Sequence, residues 1–229
     1  LHTNQGPLTV DSVVALYEKY LDDLRAVRTA QRALHGTGMK AQLDDIEAEI
    51  TYLRMRAARP ESVVEIGALH GWSTSWILHA LRDNGSGQLF SYDVVDHARY
   101  AVPRDLATRW TFVHGDVRNA LLPSDIGYLF VDAAHTAPFA RWYTASVFSR
   151  ITAGTPVSVH DVFHGRRAMP LSEGPVVLRW LQENNIPYFT SARKAAPDAY
   201  EEIMWARARL DLTEPIHSGT DNPMIFFTR

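Results

Sequence analysis

The sequence predicts an α/β protein: a doubly wound, mostly parallel sheet of seven strands with an antiparallel last strand, preceded by N-terminal helices. Three observations carry this expectation. Short apolar runs alternate with helix-length segments, the pattern of strand–helix–strand units. The first run, residues 62–66, stops at Gly67; Gly71 follows, and then an amphipathic segment that includes Trp76, Ile77, Leu78 and Leu81. Acidic and histidine residues stand at the ends of successive runs, where open α/β sheets bind ligands.

Taken in order, Val10, Val13, Val14, Tyr17, Tyr20, Leu21 and Leu24 fall at helical spacing and predict one helix with one apolar face. Gly36-Thr37-Gly38 breaks the chain. Met39, Leu43, Ile46, Ile50, Leu53 and Ala57 then step by four and three, predicting a second helix that ends before Arg59-Pro60. Strand-like runs follow at 63–66, 89–92, 111–113, 128–131, 157–159, 188–190 and 225–228, with helices over 139–151 and 175–184. The position of the last two runs predicts an added antiparallel edge strand, and residues 198–209 a further helix capped by Asp198. Residues 1–38 therefore read as a helical extension, a lid or an oligomer contact, and 39–229 as the ligand-binding domain. An isolated amphipathic helix needs a partner surface, which the domain, the ligand or a second copy supplies, so a homodimer is one expectation.

The 229 residues, 46% of them hydrophobic and six of them Trp, suffice for a substantial core. A net charge of −3 without any Lys/Arg run argues against a nucleic-acid partner. Cysteine is absent, which excludes disulfides, thiolate metal sites and Cys nucleophiles. No apolar stretch approaches the ~20 residues that cross a bilayer, and the start has neither a basic nor an apolar leader region. The expectation is a soluble, cytoplasmic protein whose partner is a small molecule.

The strand ends describe a nucleoside crevice. Gly67 lets backbone approach a ligand closely. The second strand ends in Ser91-Tyr92-Asp93, an acid placed to accept from ribose hydroxyls. The third is followed by His114-Gly115-Asp116, whose Asp116 is a candidate for an exocyclic amine. Dinucleotide folds want Gly-x-Gly-x-x-Gly facing a pyrophosphate. Here Ala68-Leu69-His70 separate the two glycines and Glu65 stands close by, which suits a cofactor without phosphate.

Strands four and five carry the chemistry. The fourth gives Val131-Asp132-Ala133-Ala134-His135 and the fifth Val159-His160-Asp161-Val162. An imidazole at this position is suited to take a proton from an acceptor hydroxyl. Two carboxylates at one site, Asp132 and Asp161, repel unless a cation such as Mg²⁺ lies between them, and that cation also lowers the acceptor's pKa.

Glu65-Ile66-Gly67-Ala68-Leu69-His70-Gly71-Trp72-Ser73 resembles the Glu-x-Gly-x-x-x-Gly-Tyr-Ser motif of class I S-adenosylmethionine-dependent methyltransferases of the catechol and caffeoyl-CoA type, with bacterial natural-product O-methyltransferases beside them. The resemblance runs from about residue 39 to 161 and implies a Rossmann-like fold with S-adenosylmethionine as cofactor. It implies that Glu65, Gly67, Gly71 and Ser73 surround the methionine portion, that Asp93 binds ribose and that Asp116 lies near adenine, with Ala68 and Asp132 also expected to contact the cofactor. Those enzymes carry Asp-x-x-Lys after strand four; this chain has Asp132-x-x-His135, so His135 stands where the proposed base stands. After strand five they carry Asp-Asn, and related sugar methyltransferases Glu-Asp; this chain has His160-Asp161, offering a nitrogen ligand. The resulting expectation is methyl transfer to a hydroxyl, with His135, Asp132 and Asp161 catalytic and Asp132, His160 and Asp161 around Mg²⁺ or another divalent ion. A nitrogen or carbon acceptor, and a non-catalytic S-adenosylmethionine-binding scaffold, stay open as alternatives.

Overall fold

Thr9 opens the first element of the computed structural model, which describes residues 7–218 and 221–229. Residues 1–6 of the expected N-terminal extension lie outside the described residues. The helices are α1 (Val10–Lys19), α2 (Leu21–Gly36), α3 (Asp45–Ala58), α4 (Trp72–Asn84), α5 (His97–Ala101), α6 (Ala137–Ser146), α7 (Gly174–Glu183) and α8 (Pro197–Arg209). The strands are β1 (Ser62–Ile66), β2 (Gln88–Asp93), β3 (Trp110–His114), β4 (Tyr128–Val131), β5 (Pro156–Val159), β6 (Tyr188–Thr190) and β7 (Ile225–Thr228).

The N-terminal region differs from the single helix that apolar spacing predicts. Tyr20, at φ −113° and ψ 22°, interrupts the helix and divides it into α1 and α2. The apolar face runs through Tyr20 without a gap, so side-chain spacing alone does not reveal the break. Likewise α3 starts at Asp45 and not at Met39, because Asp44 accepts from the Glu47 amide while the Glu47 side chain accepts from the Asp44 amide. This reciprocal capping satisfies two otherwise unpaired donors and fixes the start. At α8 the cap position is Ala196, and Asp198 sits inside the first turn, where its charge complements the helix dipole.

The sheet order is β3-β2-β1-β4-β5-β7-β6. β1 to β5 are mutually parallel, whereas β7 runs antiparallel to both β5 and β6. The last strand is therefore an inner strand, and β6 forms the edge, in place of the expected C-terminal edge strand. Both faces are covered. On β4, Tyr128 and Phe130 enter the core shared with α1 to α4, while Leu129 and Val131 enter the core under α6 and α7. Strands buried on two sides read as unbroken apolar runs, which is why they stand out in the sequence.

Val13, Tyr17, Leu24 and Val27 are fully buried in the first of these cores. The apolar faces of α1 and α2 are thus covered by the chain's own α3, α4 and α8, which removes the reason for invoking a second copy. Among the described residues no helix is long and apolar enough to cross a membrane. The winding reverses between β1 and β4, and a crevice opens at their carboxyl ends.

Candidate active site

Beyond Ile66 the backbone has to pass under the end of β4, and only glycine fits. A Cβ on Gly67, at φ +91°, would stand 1.9 Å from the Asp132 carbonyl oxygen. Gly71 caps α4 in the left-handed region, packed on Val102 and Ala98; it lines neither cavity of the crevice. Asp93 braces the turn between the two glycines. One carboxylate oxygen accepts from the Ala68 and Leu69 amides, both at 2.7 Å, and the other from Val95 at 3.0 Å.

Glu65 is fully buried behind the turn and lines neither cavity. It accepts from the hydroxyls of Ser73 at 2.6 Å, Thr74 at 2.8 Å and Ser91. Burial pushes its carboxyl up to about 7, and the three hydroxyls offset this only in part. Asp116 lies on the groove wall, where its carboxylate is paired at 2.6 Å with Arg118, which holds its pKa below the usual range.

Two cavities meet at Gly67, Leu69, Asp132 and His135. One is a groove of about 320 Å³ with largely apolar walls that runs past Tyr92, Asp93, Val94, Asp116, Ala133 and Phe139. The other, about 330 Å³, is a polar chamber lined by Gln42, Ala68, Ser73, His160 and Asp161 besides the shared residues.

The chamber wall is built from strained backbone. Ala134 (φ 61°), His135 (φ 40°) and Asp161 (φ 54°) all occupy the left-handed region, at a cost of about 1–2 kcal/mol each. Non-glycine residues held there cluster at functional sites. The turn places His135 Nε2 3.5 Å from Asp132 and 3.3 Å from Asp161. On the opposite side of the ring, Nδ1 donates to Glu173 at 2.7 Å. Glu173 is fully buried and also accepts from the Tyr143 hydroxyl at 2.9 Å. It reaches this place because α7 is pressed on the chain after β5: a Cβ on Gly174 would meet the Val162 carbonyl at 2.2 Å.

His160 lies deeper, 7% exposed, with Nδ1 3.2 Å from Asp132 and 3.5 Å from Asp161, and Nε2 3.3 Å from Glu47. Burial opposes charge on both imidazoles, but the carboxylates around them win and raise both pKa values. The same pairing outweighs burial at Asp161 and lowers it to about 2. Asp132, His135 and Asp161 offer donor atoms within 4.8 Å of one another, the spacing of a cation site. The structure thus brings Gly67, Ala68, Ser73, Asp93, Asp116, Asp132, His135, His160 and Asp161 to one crevice and sets Glu65 and Gly71 behind it. Sequence reasoning misses Glu173, Glu47 and Gln42. Glu173 precedes Gly-Pro at a helix start, which reads as an ordinary solvated terminus.

Residues 64–162 match the family described as a methyltransferase domain. This stretch, less than half of the chain, is similar to a methyltransferase domain. Solved structures share the fold of this chain at low identity. An O-methyltransferase from Bacillus cereus in complex with S-adenosylhomocysteine is 13% identical, covers 96% of this chain and 99% of its own, and gives a TM-score of 0.56. The O-methyltransferase TomG from Streptomyces achromogenes, involved in tomaymycin synthesis, is 14% identical over 90% of this chain and 88% of its own, with a TM-score of 0.55. A S-adenosylmethionine-dependent O-methyltransferase from Thermotoga maritima is 16% identical over 87% of this chain and 71% of its own, with a TM-score of 0.59. A search of curated proteins gave no significant match.

Proposed function

We propose that the methyltransferase moves the methyl group of S-adenosylmethionine to a hydroxyl of a small molecule, a phenol, a sugar or another secondary metabolite, with His135 as general base. The observation that carries this reading is the His135–Glu173 pair. With Nδ1–H given to Glu173, Nε2 is the ring atom that faces the chamber beside Asp132 and Asp161, where an acceptor hydroxyl would meet the donor. The bound cofactor would supply an electrophilic methyl carbon. His135 would take the hydroxyl proton as the oxygen gains that carbon and the sulfonium S–C bond breaks, leaving S-adenosylhomocysteine, and the buried Glu173 carboxylate would stabilise the resulting imidazolium.

The groove suits the nucleoside, with Asp93 beside the ribose. Three of the roughly four lone pairs on that carboxylate are held by backbone amides, so it would accept one ribose hydroxyl and not two. Gly67, Ala68 and Ser73 would flank the methionine portion. Gln42, from the segment between α2 and α3, lines the chamber.

The donor set also fits a divalent cation, because Asp132 and Asp161 converge and would otherwise repel. Asp132, Asp161 and His160 would hold it, and it would lower the pKa of the acceptor hydroxyl. His135→Ala is expected to lower turnover by about 10²–10⁴-fold while S-adenosylhomocysteine still binds in a calorimetric titration. Near-wild-type turnover would remove His135 as the base. A labelled donor offered to a panel of phenols, sugars and amines identifies the methylated atom. Tight cofactor binding without transfer to any member would support a scaffold instead.

A further inference from the structure

We infer that the buried His160 imidazole is a cation ligand, which with Asp132 and Asp161 makes a nitrogen-containing site that prefers a borderline transition metal such as Mn²⁺, Co²⁺ or Zn²⁺ over Mg²⁺. The inference deepens the methyl-transfer reading and rests on it for the purpose of the cation. Donor atoms that share one small cation at about 2.1 Å stand roughly 3 Å apart. His160 Nδ1 is 3.2 Å from Asp132 Oδ1 and 3.5 Å from Asp161 Oδ1, close to that spacing. Neither ring nitrogen of His160 is in a hydrogen bond among the described residues, although the side chain is almost wholly buried. A buried polar group without a hydrogen bond is costly and calls for a partner.

The distal nitrogen strengthens the case. Metal-ligating histidines usually give their second N–H to a carboxylate, which fixes the tautomer and the ring. Nε2 of His160 faces Glu47 at 3.3 Å, and Glu47 is itself held by the Met224 amide at 2.9 Å. Asp161, the neighbouring donor, is kept in the left-handed region that brings its carboxylate back onto the ring. His135 is the other imidazole on the pair, but its side chain is 39% exposed and opens to the chamber. It is therefore the more accessible of the two imidazoles, with Nε2 3.5 Å from Asp132 and 3.3 Å from Asp161, and is kept as the candidate base. Hard Mg²⁺ favours oxygen ligands, whereas imidazole suits later first-row metals, so a buried nitrogen donor shifts the preference. The competing assignment is a plain imidazolium paired with Glu47 and Asp132, which needs no metal.

The test titrates the full chain with MgCl₂, MnCl₂ and CoCl₂ in separate calorimetric runs, with S-adenosylhomocysteine binding measured in parallel. Wild type is expected to bind Co²⁺ at least about 100-fold more tightly than Mg²⁺, and His160→Asn to shrink that ratio at least about tenfold by weakening Co²⁺. The visible absorption of the Co²⁺ form is expected to change between the two proteins. Glu47→Gln is expected to weaken Co²⁺ by about 10–100-fold. His160→Gln replaces His160→Asn if the latter does not fold. An unchanged Co²⁺/Mg²⁺ ratio and spectrum in the His160 variant overturns the inference. So does the absence of cation binding in a protein that still binds S-adenosylhomocysteine. Failure to bind S-adenosylhomocysteine sinks the methyl-transfer reading instead.

Discussion

At the scale of single residues, Gly67 shows how closely the turn after β1 is fitted. Its carbon lies against the Asp132 carbonyl, so one added methyl meets backbone on the strand that carries the chemistry. Gly67→Ala is expected to cost about 3 kcal/mol or more in denaturant unfolding and to abolish calorimetric binding of S-adenosylhomocysteine. Wild-type stability with retained binding would show that β4 yields where the packing says it cannot. Gly67, Asp93, Asp132 and His135 were legible in the sequence because each stands at the end of an apolar run. Glu173 and Glu47 were not, since they come from α7's approach and from α3, far along the chain, and become site residues only when distant elements close on the strand ends.

At the scale of elements, α4 carries one buried titratable group, His79, and donates hydrogen bonds to another, Glu65 of β1, and the two have opposite pH signatures. His79, 4% exposed and without a hydrogen-bond partner among the described residues, is pushed down to about 4 by burial first and by Arg82 second. Its folded pKa lies below the unfolded value, so its contribution is intact above about 6.5 and is lost as pH falls toward 4, by about 3 kcal/mol. Glu65, bonded to Ser73 and Thr74 of the same helix, is raised to about 7. Its contribution is complete below about 4.5 and is lost as pH rises through 7. The two slopes nearly cancel. His79→Leu should therefore gain stability relative to wild type progressively between pH 6.5 and 4, as read from the midpoints of paired thermal melts. A difference that stays constant across this window would rule out a buried neutral imidazole. Helix starts were the least legible elements: at α3 the Asp44–Glu47 cap competes with an apolar period that extends back to Met39, and the cap prevails because it satisfies backbone donors.

At the scale of the whole molecule, a buried ion cluster joins the N-terminal helices to the sheet's helical face. Glu49 of α3 accepts from Tyr17 of α1 at 2.7 Å, from Arg207 of α8 at 2.8 Å and from Arg28 of α2. Arg28 also reaches the Glu214 carbonyl, and Asp45 accepts from the Ile216 and His217 amides at 2.9 and 3.0 Å. Removing one partner strands the others in a dry interior. Glu49→Ala is accordingly expected to cost about 3–5 kcal/mol, a lower denaturant midpoint at unchanged slope. A loss under about 1 kcal/mol would mean that water reaches the arginines. The strand positions at this scale were visible in the sequence, down to 128–131, 188–190 and 225–228, but the order in which the last two pair was not. Pairing order depends on which edges meet in space, and apolar runs carry no record of that.

That order governs how the polypeptide acquires its shape during synthesis. β6 has β7 as its sole neighbour in the sheet, and β7 emerges from the ribosome only after α8. Until then the flank of β5 is an open template for intermolecular strand addition, and β6 is an orphan. Closure of the barrier against aggregation is thus deferred until β7 has been made.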